Sequence, residues 1–312
     1  MDTFLIALFA VGVLLLAAVP GFLFIKTKLV GENFIPGVSK ILVYIAQPAI
    51  AIYTFARLEF SWQTLADMGL FAALTFVVHG IMLAVVYLVL KRRSEKAVYR
   101  IITIATTFSN CTFFGIPIIE ALLPDIASGL VVYAAIYSLV MNIIGWTIGA
   151  AIISHDTKYI SLKKIFINPA TLGTGAAFII FAFSIPIGAE LLDMITIMGK
   201  MATPLSMIVL GMRIATVNPK PLFCDFRLYA SSAVKQIVMP LVAFASLYFL
   251  PIDSGLKCVF YILTACPTAS VVLNYSEILG EGQKEASAAL LLSTITSIAT
   301  LPLMVLLLQF LK

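Results

Sequence analysis

Two short stretches carry residues that could do chemistry inside runs otherwise apolar enough for lipid. The first is Ser109-Asn110-Cys111-Thr112-Phe113-Phe114-Gly115-Ile116-Pro117; the second is Ala265-Cys266-Pro267-Thr268-Ala269-Ser270. Proline removes a donor and clashes with the carbonyl four residues back, so each stretch should interrupt its helix. Unpaired backbone is costly in lipid and survives there only when buried in protein or lining a water-filled cavity. Each proline is expected to start a second half-helix, where its missing N–H is among those left unpaired anyway. Gly115 then supplies a flexible backbone ahead of Pro117. Half-helix N-termini carry unpaired N–H groups and partial positive charge, which favour a carboxylate or phosphate. Asn110 and Thr112 add donors at the first break, and Thr268 and Ser270 follow Pro267 at the second. Asn274, about two turns beyond, either completes the site or caps a neighbouring helix. The chemistry implied is reversible binding of a small organic anion.

Ionisable residues within apolar runs are rare and default to functional candidates. Here they are His79, Lys235 and Lys200, with Glu120 and Glu277 nearer the ends of the broken runs. His79 either takes up a proton with the substrate or hydrogen-bonds a neighbouring helix. Lys235 either shares that role or snorkels to the surface. The cysteines Cys111, Cys224, Cys258 and Cys266 form no CxxC pair and have no histidine at zinc-ligand spacing, so neither a disulfide nor a metal site is expected. No HExxH, GxSxG or P-loop is present. We therefore expect no enzyme activity and no cofactor.

The elements that must hold these residues are membrane spans. Of 312 residues, 62% are hydrophobic and 11% charged, against about half and a quarter in ordinary soluble domains. At about 20 residues per crossing the apolar runs divide into ten, near 3–25, 37–58, 67–90, 100–123, 129–153, 165–185, 190–214, 227–249, 255–279 and 285–311. The first has no basic region before it and reads as a retained span. Loops after the odd-numbered spans hold most of the basic residues, among them Lys91, Arg92, Arg93, Lys163, Lys164, Arg213, Lys220 and Lys284; the other side has Arg57, Lys257 and Lys312. By the positive-inside bias this places both termini outside the cytoplasm. The scattered +5 charge reads as topology, not as nucleic-acid binding.

Two halves are expected. Gln47-Pro48 with Arg57, and Thr203-Pro204 with Arg213, recur at an offset of 156, as do His79 and Lys235; Pro117 and Pro267 are offset by 150. Five spans per half is an odd number, so the second half, 165–312, is inverted relative to the first, 1–153, across a cytoplasmic linker 154–164. Inverted repeats with interrupted helices in matching positions mark the midplane sites of secondary transporters. The GxxxG pattern Gly145–Gly149 reads as close internal packing of helices.

Taken together, Asn110-Cys-Thr-Phe-Phe-Gly115-Ile-Pro117, Ile167-Asn168-Pro169, Thr203-Pro204-Leu205 with Gly211, Ala265-Cys-Pro267 and Ser293-Thr-Ile-Thr-Ser297 resemble the auxin efflux carrier family. That family includes plant PIN-type carriers and bacterial permeases for malate-like and malonate-like anions. The resemblance implies an all-α fold like that of the bile-acid sodium symporters, with ten spans in two inverted repeats and crossed fourth and ninth helices. It also implies a scaffold of spans 1, 2, 6 and 7, often dimeric, and a moving domain of spans 3–5 and 8–10. Binding residues carry over to Asn110 and the Pro117/Pro267 crossover, with Gln47 and Asn142 as further transfers. Absence of a long central loop makes a bacterial-type carboxylate permease of the cell membrane the closer likeness. Lys200, where the resemblance suggests a small or apolar residue, either pairs with a second carboxylate or reaches toward the outer surface. Proton and sodium coupling are both carried forward, sodium symport as the alternative reading.

Overall fold

The computed structural model describes residues 2–217 and 224–311; Lys220 and Lys312, used above for topology, lie outside the described residues. The protein is all-helical, with 82% of it in helix and no strand among the described residues. We number twelve helices: α1 Thr3–Lys26, α2 Glu32–Phe55, α3 Trp62–Arg93, α4 Ala97–Ala105, α5 Cys111–Leu122, α6 Ala127–Ser154, α7 Pro169–Ala182, α8 Ala189–Thr216, α9 Phe226–Tyr248, α10 Ser254–Ala265, α11 Val271–Leu279 and α12 Gln283–Phe310. Seven of these, α1, α2, α3, α6, α8, α9 and α12, are long and apolar enough to cross a membrane. An eighth crossing is made if α7 counts together with Thr157–Ile167, bent by 43° at Asn168. The bend is local chemistry, since Asn168 is extended, its Oδ1 accepts from Ala170 N at 2.9 Å, and Pro169 opens the helix. α4, α5, α10 and α11 are each too short for a crossing of about 30 Å at 1.5 Å per residue.

The second half of α1 packs on α8, and the end of α2 packs on α7 and α8; α3 packs on α6, α9 on α10, and α12 on α1, α4, α9 and α11. At the α1–α8 contact the two backbones approach closely. A Cβ on Gly21 would stand 1.9 Å from Ile208 O, and one on Gly211 would stand 1.8 Å from Ala18 O. Small residues let backbones approach to this degree where no water-driven collapse assists association. Gly145 meets the Tyr275 ring, so that end of the GxxxG pattern packs internally.

Of four widened turns with the i→i+5 pattern among the described residues, three, Leu42–Ala46, Cys111–Gly115 and Val234–Val238, each end two residues before a proline: Pro48, Pro117 and Pro240. The widening absorbs the missing N–H and the ring clash without ending the helix. This corrects the expected position of both breaks. Pro117 lies inside α5, which already starts at Cys111, and Pro267 lies in extended chain four residues before α11 begins. The interruptions are 106–110 and 266–270, separated by 160 residues at both ends. Asn110 and Ser270, not the two prolines, occupy the matching positions as the residues before each restarted helix.

Candidate functional site

The two interruptions pair with each other. Asn110 N donates to Pro267 O at 2.8 Å and Ala269 N to Phe108 O at 2.9 Å, around an antiparallel bridge between Ser109 and Thr268. Helix ends here need partners, because unpaired polar backbone in an apolar interior costs several kcal/mol. The last carbonyls of α4 receive hydroxyls: Thr106 Oγ1 reaches Ile102 O at 2.9 Å, Thr107 Oγ1 reaches Ile104 O at 3.0 Å, and Thr268 Oγ1 crosses from the other break to Ala105 O at 3.0 Å. On the α10 side Thr268 N donates to Ser293 Oγ at 2.9 Å, which also accepts from Gln236 Nε2 at 2.7 Å. The Gln236 carbonyl in turn accepts from Thr296 and Thr300.

Lys235 completes this end. It is fully buried, so it does not snorkel, and its Nζ donates to Thr264 O at 2.7 Å. A cation at a helix C-terminus is favoured by the helix dipole. Lys235→Met is therefore expected to leave Thr264 O without its donor. The loss should be about 1–3 kcal/mol, read as a lower apparent melting temperature of the purified protein.

His79 is also fully buried. Its Nδ1 lies 2.7 Å from Thr75 O on its own helix, not on a neighbour, and its Nε2 has no partner among the described residues. The ring meets Tyr137 edge-on at 4.8 Å, and the Tyr137 hydroxyl lies 3.2 Å from Ser109 Oγ in the first break. Lys200 is exposed, within electrostatic reach of Glu120.

A cavity of about 120 Å³ lies between the two breaks on one side and α2 and α8 on the other. Gln47, Asn110, Thr112, Asn142, Ser270 and Asn274 line it, while Gly115, Pro117, Pro267, Thr268, His79, Lys235 and Lys200 stand outside the lining. Asn110 is 8% exposed and makes no capping bond, and its amide has no protein partner among the described residues. The same holds for the side chains of Gln47, Ser270 and Asn274. Asn142 is committed instead: its Nδ2 donates to Ser138 O at 3.0 Å and its Oδ1 accepts from Tyr275 OH at 3.1 Å. The N–H groups of Thr112 and Phe113 precede the first intrahelical bond of α5, Gly115 N to Asn110 O at 3.0 Å, and so carry no intrahelical partner. Gly115 has ordinary right-handed dihedrals, φ −67° and ψ −43°, and a Cβ would come 2.6 Å from Leu263 Cδ2. What that position requires is space for α10.

The charged residue in the lining is Arg213, near the end of α8, whose Nη2 lies 3.0 Å from Glu277 Oε1 on α11. Sequence reasoning used Arg213 only as a topology marker and as the repeat partner of Arg57. Its place nine residues after Pro204 is the signal that could have brought it to the site. No cluster of His, Cys, Asp or Glu suited to a metal ion occurs among the described residues.

The cavity thus combines apolar walls with the Asn110 amide, the N–H groups at the start of α5 and the Arg213 guanidinium. Comparison with curated proteins finds no match. The model of the family described as membrane transport protein, Mem_trans, matches residues 6–305, nearly the whole chain, and the protein belongs to that auxin efflux carrier family of membrane transporters.

Proposed function

We propose that this multi-pass membrane protein is a secondary transporter of small organic anions such as carboxylates, working by alternating access at the paired breaks. The observation that carries the reading is the cavity beside Asn110, which offers N–H donors and Arg213 and no carboxylate. In this reading α4 with α5, and α10 with α11, each make one crossing, which brings the total to ten in two inverted halves, 1–153 and 165–312. Two interruptions of equal length that bond to each other support it. Spans 1, 2, 6 and 7 form the scaffold, through which two copies pair in the cell membrane, both termini away from the cytoplasm. The packing of α1, α2, α7 and α8 on one another supports that division.

Uptake of labelled acetate and malonate into proteoliposomes tests the reading. Saturable uptake of an anion is expected; carriage of neutral sugars or amino acids with no anion carried would sink it. Imposing sodium, proton and potential gradients one at a time separates proton coupling and potential-driven movement from the alternative, sodium symport. His79 touches Tyr137, which bonds to the first break, so His79→Gln is expected to flatten the pH dependence of uptake. An unchanged profile would remove His79 from coupling.

A further inference from the structure

The charge in the cavity is already occupied from within the protein. Arg213 lines the cavity, yet its guanidinium is ion-paired at 3.0 Å with the carboxylate of Glu277. The partners come from different helices: Arg213 lines the cavity from α8, and Glu277, just outside the lining, stands on α11, the helix that restarts after the second break. The arginine side chain is 20% exposed and the glutamate 42%, so neither is sealed in its pair. Half-exposed pairs of this kind are individually weak, and a planar guanidinium accepts one carboxylate about as well as another.

We propose that Glu277 is an internal competitor for Arg213, and that a substrate carboxylate displaces it. The proposal deepens the anion-transport reading and rests on it. Arg213 then sets charge selectivity, since a neutral solute gains nothing from breaking the pair. Glu277 sets how concentrated an anion must be before it enters the cavity. Displacement also removes a strut between α8 and α11, so occupancy of the cavity and freedom of the broken helices to move against α8 become linked. Coupling of this kind requires a ligand that interacts differently with the two states, and the exchanged carboxylate supplies that difference.

Calorimetric titration of the purified full-length protein with malonate tests this. Glu277→Gln, which removes the competing charge and keeps the shape, is expected to bind malonate about fivefold more tightly, equivalent to about 1 kcal/mol. Glu277→Asp keeps the charge and should fall back toward native affinity. Arg213→Gln should weaken binding tenfold or more, with Arg213→Lys in between. Each variant's melting temperature is measured alongside, and only those that melt as a single species are compared. Glu277→Gln binding malonate no more tightly than the native protein would overturn the proposal while leaving the transport reading intact. If the native protein binds neither malonate nor acetate, the anion-transport reading itself falls, and that result cannot be confused with the first.

Discussion

Asn110→Ala is expected to weaken the affinity of anion uptake severely while leaving the protein folded. Asn110 is buried and opens on the cavity, and its amide has no protein partner among the described residues. Hydrogen bonds to charged groups contribute about 1.5–3 kcal/mol each, so losing one lowers affinity roughly tenfold to a hundredfold. Truncating an asparagine before a helix ordinarily costs about 1 kcal/mol through the lost cap, but here no capping bond exists to lose. The backbone bond from Asn110 N to Pro267 O remains available to alanine. The pattern to look for is a near-native melting temperature with a large loss of affinity. A variant that unfolds, or one that transports normally, would contradict the placement of the site.

Gly211→Ala is expected to have the opposite signature, a loss of folded protein. Its added methyl would stand 1.8 Å from Ala18 O and 2.9 Å from Phe22 N, both backbone atoms that no rotamer change can move aside. The two helices must separate, and Gly21, facing Ile208 O from α1, leaves no slack at the same crossing. Overpacking of this kind costs about 1–3 kcal/mol and more where the obstruction is rigid. Yield of monodisperse protein and apparent melting temperature measure it. Gly12→Ala, at a position with open space around it, is the control and should be silent.

The same residues show how far local pattern reaches. The apolar runs, the presence of two interruptions and the N–H-rich character of their restarts were legible, because hydropathy and proline act through the chain's own backbone. The exact restarts were not. Widened turns before Pro117, Pro48 and Pro240 let those prolines stay within continuous helices, and whether a turn widens depends on neighbours that accept the displaced backbone. Lys235 shows the same limit: nine residues into an apolar run it reads either as snorkelling or as sharing a role with His79. Only the arrival of Thr264 O within 2.7 Å decides it.

By itself, the sequence determined that the chain crosses a membrane many times, that two of its helical runs break, and that polar donors cluster at the breaks. These follow from composition and from residue types whose effects are local. Tertiary structure decided which donors remain free. Asn142 is spent on Tyr275 and Ser138, Asn110 is left open among the described residues, and Arg213 near the end of α8 is brought to the cavity wall and into an ion pair with Glu277 of α11. A donor becomes a binding group only when folding withholds its internal partners, and those partners are 133 residues away in the case of Asn142 and Tyr275. No local pattern carries that information, because which side chains meet across such separations is settled by helix packing.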